Sequence, residues 1–287
     1  MSAATQLVPI QYEPVLRAAL LEDLGTAGDL TTDAVVGSDA MAEGALVART
    51  AGRAAGIDIA TATFALLDPD VTVDVEVADG DDVDPGEVLA TVRGRARSIL
   101  TGERVALNVL GHLSGVATTT AQLVAAASGH RARIVPTRKT LPGLRALQRY
   151  AVRVGGGVDH RFGLDDGVLI KDNHIAVAGG VTAAVERARA RIGHMVKVEV
   201  EVDTLAQLDE AVGQPIDAVL LDNMPTATLA EAVQRTPGHI VTEASGGITP
   251  ETAPAVAATG VDLISVGWLT HSARALDVGL DFATTGG

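Results

Sequence analysis

Only three lysines, Lys139, Lys171 and Lys197, stand among the 22 cations of this 287-residue chain; the rest are arginine. A lysine kept at a strand end in such a background reads as a point charge or a tunable amine rather than as surface solvation. Lys139 and Lys171 occupy such ends, whereas Lys197 falls inside an apolar run and reads as structural. Glu201 and Asp222 close neighbouring runs. Side by side, two carboxylates could hold Mg2+ through oxygen ligands or stabilise positive charge developing on a sugar ring. Glu199 shares the face of Glu201 by strand alternation, as a second site carboxylate or as a partner for Lys197. The plainer role for either glutamate is pairing with a nearby arginine. Ser245-Gly-Gly-Ile248 follows a strand and precedes Thr249-Pro-Glu251, a helix opening; amides there can cradle a phosphate, with Ser265-Val-Gly267 completing the site. Arg138 beside Lys139, and His160 beside Arg161, supply donors suited to carboxylates. The seven histidines lack ligand spacings such as HxxxH, so a histidine-built metal site is not expected.

These residues need elements to present them. In the second half, short apolar runs alternate with helical segments: Arg133–Thr137, Gly167–Lys171, Val196–Val202, Asp217–Asp222, His239–Glu243 and Val261–Gly267 as strands. Leu144–Val154, Val181–Ala190, Leu205–Val212, Ala227–Gln234 and Glu251–Ala258 read as helices. Repeated βα units with nearly continuous apolar strands imply a parallel sheet covered by helices. The chemistry-bearing residues lie at the C-terminal ends of successive strands, which converge on one mouth in a barrel; a doubly wound sheet would gather them at one switch point. Six strands fall short of eight, so the expectation is an incomplete, irregular α/β barrel.

The first half lacks that alternation. A helix over Pro14–Leu24 is followed by Asp29-Leu-Thr-Thr-Asp33, suited to a helix start or turn. Strands are expected at Ala45–Arg49, Val71–Val77 and Val88–Val92, with Asp79–Gly86 as a turn. That rhythm resembles biotinyl and lipoyl carrier domains, but no lysine precedes Lys139, so nothing there could be modified. A long helix over Ile99–Ser128 leads into the second half. The division is an N-terminal α/β sandwich-like domain, 1–115, and a barrel, 116–272, with a tail, 273–287, packing back on the first domain.

Composition narrows the function classes. Net charge is −14, with six aromatics and no cysteine. Disulfides, thiolate metal sites and cysteine nucleophiles are excluded, and a reducing, cytoplasmic setting fits. Met1–Leu16 carries no cation, so neither a secretory signal nor a transit peptide is expected, and no stretch reads as a membrane span. Nucleic acid is an improbable partner for so acidic and aromatic-poor a chain. Charge is uneven, however: Arg131–Lys171 holds nine cations against three acids. Such a segment focuses potential on a small anion. The spacing of Arg145, Arg149 and Arg153 equally suits a solvated helix face.

An ordered series of motifs resembles the quinolinate phosphoribosyltransferase family: Thr137-Arg-Lys-Thr140 with Pro142-Gly143, Gly155-Gly-Gly157 with His160-Arg161, and Leu169-Ile-Lys-Asp-Asn-His174. Val198-Glu-Val-Glu201, Leu221-Asp-Asn223, Glu243–Ile248 and Ser265-Val-Gly267 with Thr270-His-Ser272 continue it. Glu22–Gly25, Gly28–Thr32, Glu103-Arg104 and Asn108 with Ser114-Gly115 extend it over nearly the whole chain. Trp268 departs from the family's usual small residue, which bears on the phosphate pocket.

The resemblance implies transfer of phosphoribosyl from 5-phosphoribosyl-1-pyrophosphate to the ring nitrogen of quinolinate, then decarboxylation to nicotinate mononucleotide in NAD biosynthesis. Glu201 and Asp222 would stabilise the cationic ribose and place Mg2+; Lys139 and Lys171 would neutralise pyrophosphate. Arg138, Lys139, His160 and Arg161, with Thr137, would hold quinolinate. Ser245, Gly246, Gly247 and Gly267 would seat the 5′-phosphate, with Val266, Trp268 and His271 beside them. Arg104 would reach in from the partner of a homodimer. The quaternised ring nitrogen absorbs the electrons left by CO2, and no general base is required. The rivals are a barrel aldolase or isomerase using Lys171 as a Schiff-base amine, a molybdenum-associated homologue on the same scaffold, and a non-catalytic metabolite-binding protein.

Overall fold

The computed structural model describes residues 6–282, so the end of the proposed tail, 283–287, lies outside the described residues. In chain order the elements are α1 (Pro9–Leu24), α2 (Leu30–Val35), β1 (Met41–Ala48), β2 (Gly52–Arg53), α3 (Ile57–Leu67), β3 (Thr72–Val75), β4 (Asp82–Val83), β5 (Val88–Arg95) and α4 (Ala96–Ala126). Then come β6 (Arg133–Pro136), α5 (Arg145–Val154), β7 (Val168–Ile170), α6 (Asp172–Ala178), α7 (Val181–Arg189), β8 (Val198–Val202), α8 (Leu205–Val212) and β9 (Ala218–Asp222). The chain finishes with α9 (Thr226–Arg235), β10 (Val241–Ser245), α10 (Ala253–Ala258), β11 (Leu263–Val266), α11 (Trp268–His271) and β12 (Val278–Phe282).

Two compact units result. The first comprises the described chain to Ala121, Thr140–Gly156 and the chain from Leu269 onward. Its antiparallel sheet runs β12-β1-β5-β3. The tail packs back as a strand, with Gly44 opposite Phe282 and Ala48 opposite Val278. Leu46, Phe64, Leu89, Val92, Ile99 and Leu110 bury the inner face of this sheet against α3 and α4. The Asp79 turn is structural: its carboxylate accepts the Gly56 and Ile57 amides at 2.7 and 3.1 Å, capping α3. The Tyr150 hydroxyl also donates to it at 2.6 Å.

Three expectations shift here. The first helix begins five residues earlier than read, because Pro9 suits its first position and Gln11 caps the Val8 amide at 3.0 Å. The segment Thr140–Gly156, assigned to the barrel by position, clusters with the first unit. The reason is apolar: Leu147, Tyr150, Ala151 and Val154 of α5 pack with Leu16, Leu113 and Val116. The fully buried Gln148 secures it, accepting the Leu141 amide at 3.0 Å and donating to the Thr270 carbonyl at 2.5 Å. Arginine spacing misleads too, since Arg149 is buried and the Arg153 guanidinium sits 5.8 Å from the Tyr150 ring centre, so α5 is no solvated face.

The second unit, Gln122–Lys139 and Gly157–Trp268, is a parallel sheet in the order β6-β11-β10-β9-β8-β7. Its strands are short and valine-rich with buried centres, as a sheet covered on both faces requires. The order is cyclic, yet β6 and β7, consecutive in the chain, are its two edges. This is the incomplete barrel, open along one seam. Lys197 lies just before β8 rather than within it; exposed, its ammonium contacts Asp217 at 2.6 Å. That ion pair replaces the pairing with Glu199 that adjacency had offered. No helix among the described residues is long and apolar enough to cross a membrane.

Candidate active site

Parallel strands point their C-terminal ends the same way, so residues just beyond them share one rim. Thr137, Arg138 and Lys139 follow β6, Lys171 follows β7, Glu201 lies near the end of β8, Asp222 ends β9, Ser245 ends β10, and Gly267 follows β11. Glu201 and Lys171 form an ion pair across neighbouring strands, with Glu201 mostly buried and Lys171 half exposed. Asp222 and Ser245 occupy paired positions in the β9–β10 register.

Beyond Asp222 the backbone turns through Asn223, the sole non-glycine with positive φ (52°) among the described residues. Asparagine tolerates that region. Its amide nitrogen donates to Asp222 Oδ2 at 2.6 Å and its backbone N–H to the Ser245 carbonyl at 2.9 Å. Gly246 has φ 102° and lies so close that a Cβ on it would stand 2.1 Å from Asn223 Oδ1. One turn therefore ties the Asp222 carboxylate to the Ser245–Gly247 loop. Trp268 braces the far side of that loop through its indole N–H, 2.8 Å from the Ile248 carbonyl.

On the other side of the ring, the Lys139 amide donates to Thr137 Oγ1 at 3.0 Å. Gly267 makes room for that lysine, since a Cβ there would meet Lys139 Cδ at 2.9 Å. The next loop carries Arg161, whose Nη1 donates to the Gly167 carbonyl at 3.2 Å. Burial, with the charge of Arg138 second, holds the Arg161 pKa below the usual guanidinium range. Two like charges held close in a partly dry place form a site built for an anion.

His160 is embedded deeper. Its Nε2 stands 3.3 Å from Glu199 Oε2 and 3.1 Å from Glu243 Oε2, while Nδ1 receives the Arg161 backbone N–H at 2.8 Å. Burial works against a charged ring, but the adjacent Glu199 and Glu243 carboxylates outweigh it and lift the imidazole pKa to about 10. Burial, with the Glu243 charge second, also raises the Glu199 pKa. An imidazolium beside two carboxylates and a neutral ring beside one protonated carboxyl carry the same net charge. They differ in the seat of one proton. Because Nδ1 accepts an amide N–H, the ring proton sits on Nε2, facing both carboxylates. Both ring nitrogens thus face protein groups, a placement the sequence did not suggest for a residue expected to grip carboxylate directly.

Val266 is buried at the end of β11. Arg104 is exposed on α4 in the first unit. His271 ends α11 in that unit, its Nδ1 lying 2.7 Å from Ser272 Oγ. Glu243 and Asn223 fall within motifs that carry the family resemblance, but the sequence reading gave neither a role. Strand alternation from Ser245 carried the signal for Glu243; a polar residue in a turn gave no comparable signal for Asn223.

A family model described as the quinolinate phosphoribosyl transferase N-terminal domain matches residues 29–114, and its C-terminal counterpart matches 116–281. The chain is 46% identical over 272 residues to the probable nicotinate-nucleotide pyrophosphorylase (carboxylating) of Bacillus subtilis (strain 168), covering 95% of this chain and 93% of that one. It is 47% identical over 274 residues to the nicotinate-nucleotide pyrophosphorylase (carboxylating) of Mycobacterium leprae (strain TN), covering 93% and 95%. The solved nicotinate-nucleotide pyrophosphorylase from Francisella tularensis matches with a TM-score of 0.92 at 36% identity, covering 99% of this chain and all of that one.

Proposed function

Since the chain belongs to the quinolinate phosphoribosyltransferase family through both of its domains, and so performs that family's decarboxylating transfer, we propose how its residues divide the work. The reaction joins phosphoribosyl from 5-phosphoribosyl-1-pyrophosphate to the quinolinate ring nitrogen and releases CO2, giving nicotinate mononucleotide in de novo NAD biosynthesis. One observation carries the assignment of roles: Arg138, just past the end of β6, acts with its charge on the Arg161 guanidinium, while the Lys171–Glu201 ion pair lies at the same ends of β7 and β8.

The guanidiniums, with Lys139, grip the two carboxylates of quinolinate and aim its nitrogen lone pair at C1 of the sugar. As the C1–O bond to pyrophosphate breaks, Glu201 and Asp222 face the cationic ribose, and Lys139 and Lys171 receive the departing charge. The Ser245–Gly247 loop seats the 5′-phosphate with Gly267, and Trp268 braces it. Glu201 and Asp222 are hard oxygen donors that fit Mg2+, which takes one or two carboxylates and completes its shell with water and phosphate; bound there, it would screen pyrophosphate. After transfer the ring nitrogen carries positive charge, so the electron pair left on C2 as CO2 departs is stabilised beside it until a proton from solvent takes the place of the carboxylate. Incubating the protein with quinolinate, 5-phosphoribosyl-1-pyrophosphate and Mg2+ is expected to yield nicotinate mononucleotide, detected by ultraviolet absorbance after separation. No product from folded protein would sink the assignment.

The working enzyme is, on this reading, a cytoplasmic homodimer in which Arg104 of one subunit completes the partner's site. Mixing Arg104→Ala with Lys171→Ala protein should then restore activity that neither parent has, because some heterodimer sites carry both native residues. Verified heterodimers without recovery would exclude shared sites.

A further inference from the structure

Behind the substrate-facing rim, the His160–Glu199–Glu243 cluster stands out because Glu243 is 1% exposed and its Oε2 makes no hydrogen bond, although Nε2 lies 3.1 Å away. The single Nε2–H is divided between Glu243 at 3.1 Å and Glu199 at 3.3 Å, so the Glu243 contact falls short of a full hydrogen bond. The donor atoms of the three residues lie within 4.8 Å of one another, close enough to enclose a cation. The tautomer argues against one. With Nδ1 accepting the Arg161 amide, a neutral ring carries its proton on Nε2 and has no lone pair there to give a metal.

We infer that Glu199 and Glu243 are positioning residues for the dicarboxylate grip, fixing the His160 ring through Nε2 so that Nδ1 anchors the Arg161 backbone and presents its guanidinium beside Arg138. This rests on the assignment of Arg138 and Arg161 to quinolinate. The cluster lies one strand alternation deeper than the rim: Glu199 two residues before Glu201, and Glu243 two before Ser245. Neither glutamate touches substrate. Their effect passes through the imidazole to the backbone of the next residue, whose guanidinium is held at its other end by the Gly167 carbonyl. Negative charge in the cluster also offsets part of the repulsion between the two guanidiniums before substrate arrives, that of Glu199 acting on Arg161.

Reach and charge are separated by two conservative variants. Glu243→Asp keeps the charge and withdraws it by one methylene; Glu243→Gln keeps the reach and an oxygen acceptor. Glu243→Asp should raise the KM for quinolinate by about tenfold or more, as expected for a misplaced anchoring group. Its KM for 5-phosphoribosyl-1-pyrophosphate should stay within about twofold, and Glu243→Gln should recover quinolinate KM to within about threefold of the native value. Equal changes in both KM values, an unchanged quinolinate KM in folded Glu243→Asp, or no advantage of glutamine over aspartate would overturn the inference. So would stoichiometric metal in the purified native protein that is lost in Glu243→Gln. Should Glu243→Asp fail to fold, Glu199→Asp and Glu199→Gln make the same comparison under the same criteria. Native protein inactive under assay conditions would instead refute the functional reading on which the inference rests.

Discussion

Replacing Lys171 by alanine should lower kcat by about 100- to 1,000-fold, the loss usual when one charge-stabilising donor is removed from a reacting centre. The protein should melt almost where it did before. Lys171 is half exposed, and an ion pair of that kind contributes about 1 kcal/mol or less to folding. On the proposed roles, the charge it would offer departing pyrophosphate has no substitute at the end of β7. Lys197→Ala provides the internal control: it removes an ammonium of equal charge, 2.6 Å from Asp217 and exposed on another part of the same unit. Its activity should match the native enzyme. Asp217 would lose one of the groups that, against its burial, bring its pKa down to about 2. Steady-state rates and melting curves for the two variants decide the point, and similar rates in both would contradict the role given to Lys171.

The second large effect is expected at Gly246, a residue with no side chain to contribute. An alanine there meets Asn223 Oδ1 at 2.1 Å and the Asn223 backbone nitrogen at 3.0 Å, on a backbone with φ 102°. Neither obstacle yields cheaply, because Asn223 is fastened to Ser245 and to Asp222. The expected result is a fall of about 100-fold in kcat/KM for 5-phosphoribosyl-1-pyrophosphate, since both the phosphate loop and the ribose-facing carboxylate are displaced. Gly247→Ala separates the two causes: φ is 61° and nothing lies within 4 Å of its Cβ, leaving only the conformational penalty of about 1–2 kcal/mol. If both variants lose activity equally, collision with Asn223 is not the reason.

Residues at strand ends were the readable part of this molecule. Apolar runs announced six strands, and the polar residues immediately after them marked one rim of the sheet without any knowledge of its closure. Leu205–Val212 was recovered to the residue. Interior polar groups were harder to place. Glu243 sits within Val241–Ser245, where the local pattern records only a polar residue in a strand; its meaning depends on His160, more than eighty positions earlier. Asn223 illustrates a different gap, because its importance is a backbone angle, and a lone asparagine after an aspartate does not declare positive φ. Helix α5 shows tertiary packing overriding chain order: position placed it in the barrel, whereas Leu147, Tyr150 and Gln148 commit it to the first unit. Pro14 failed as a helix start because Pro9 was better suited to that place.

The unclosed seam has a mechanical consequence. Lys139 and Lys171 extend from β6 and β7, the two strands that no ladder of hydrogen bonds joins. A closed ring would fix their separation, and widening it would rupture backbone pairing. Here, among the described residues, no backbone pairing sets that distance, so the separation of the two lysines follows from the curvature of the sheet instead.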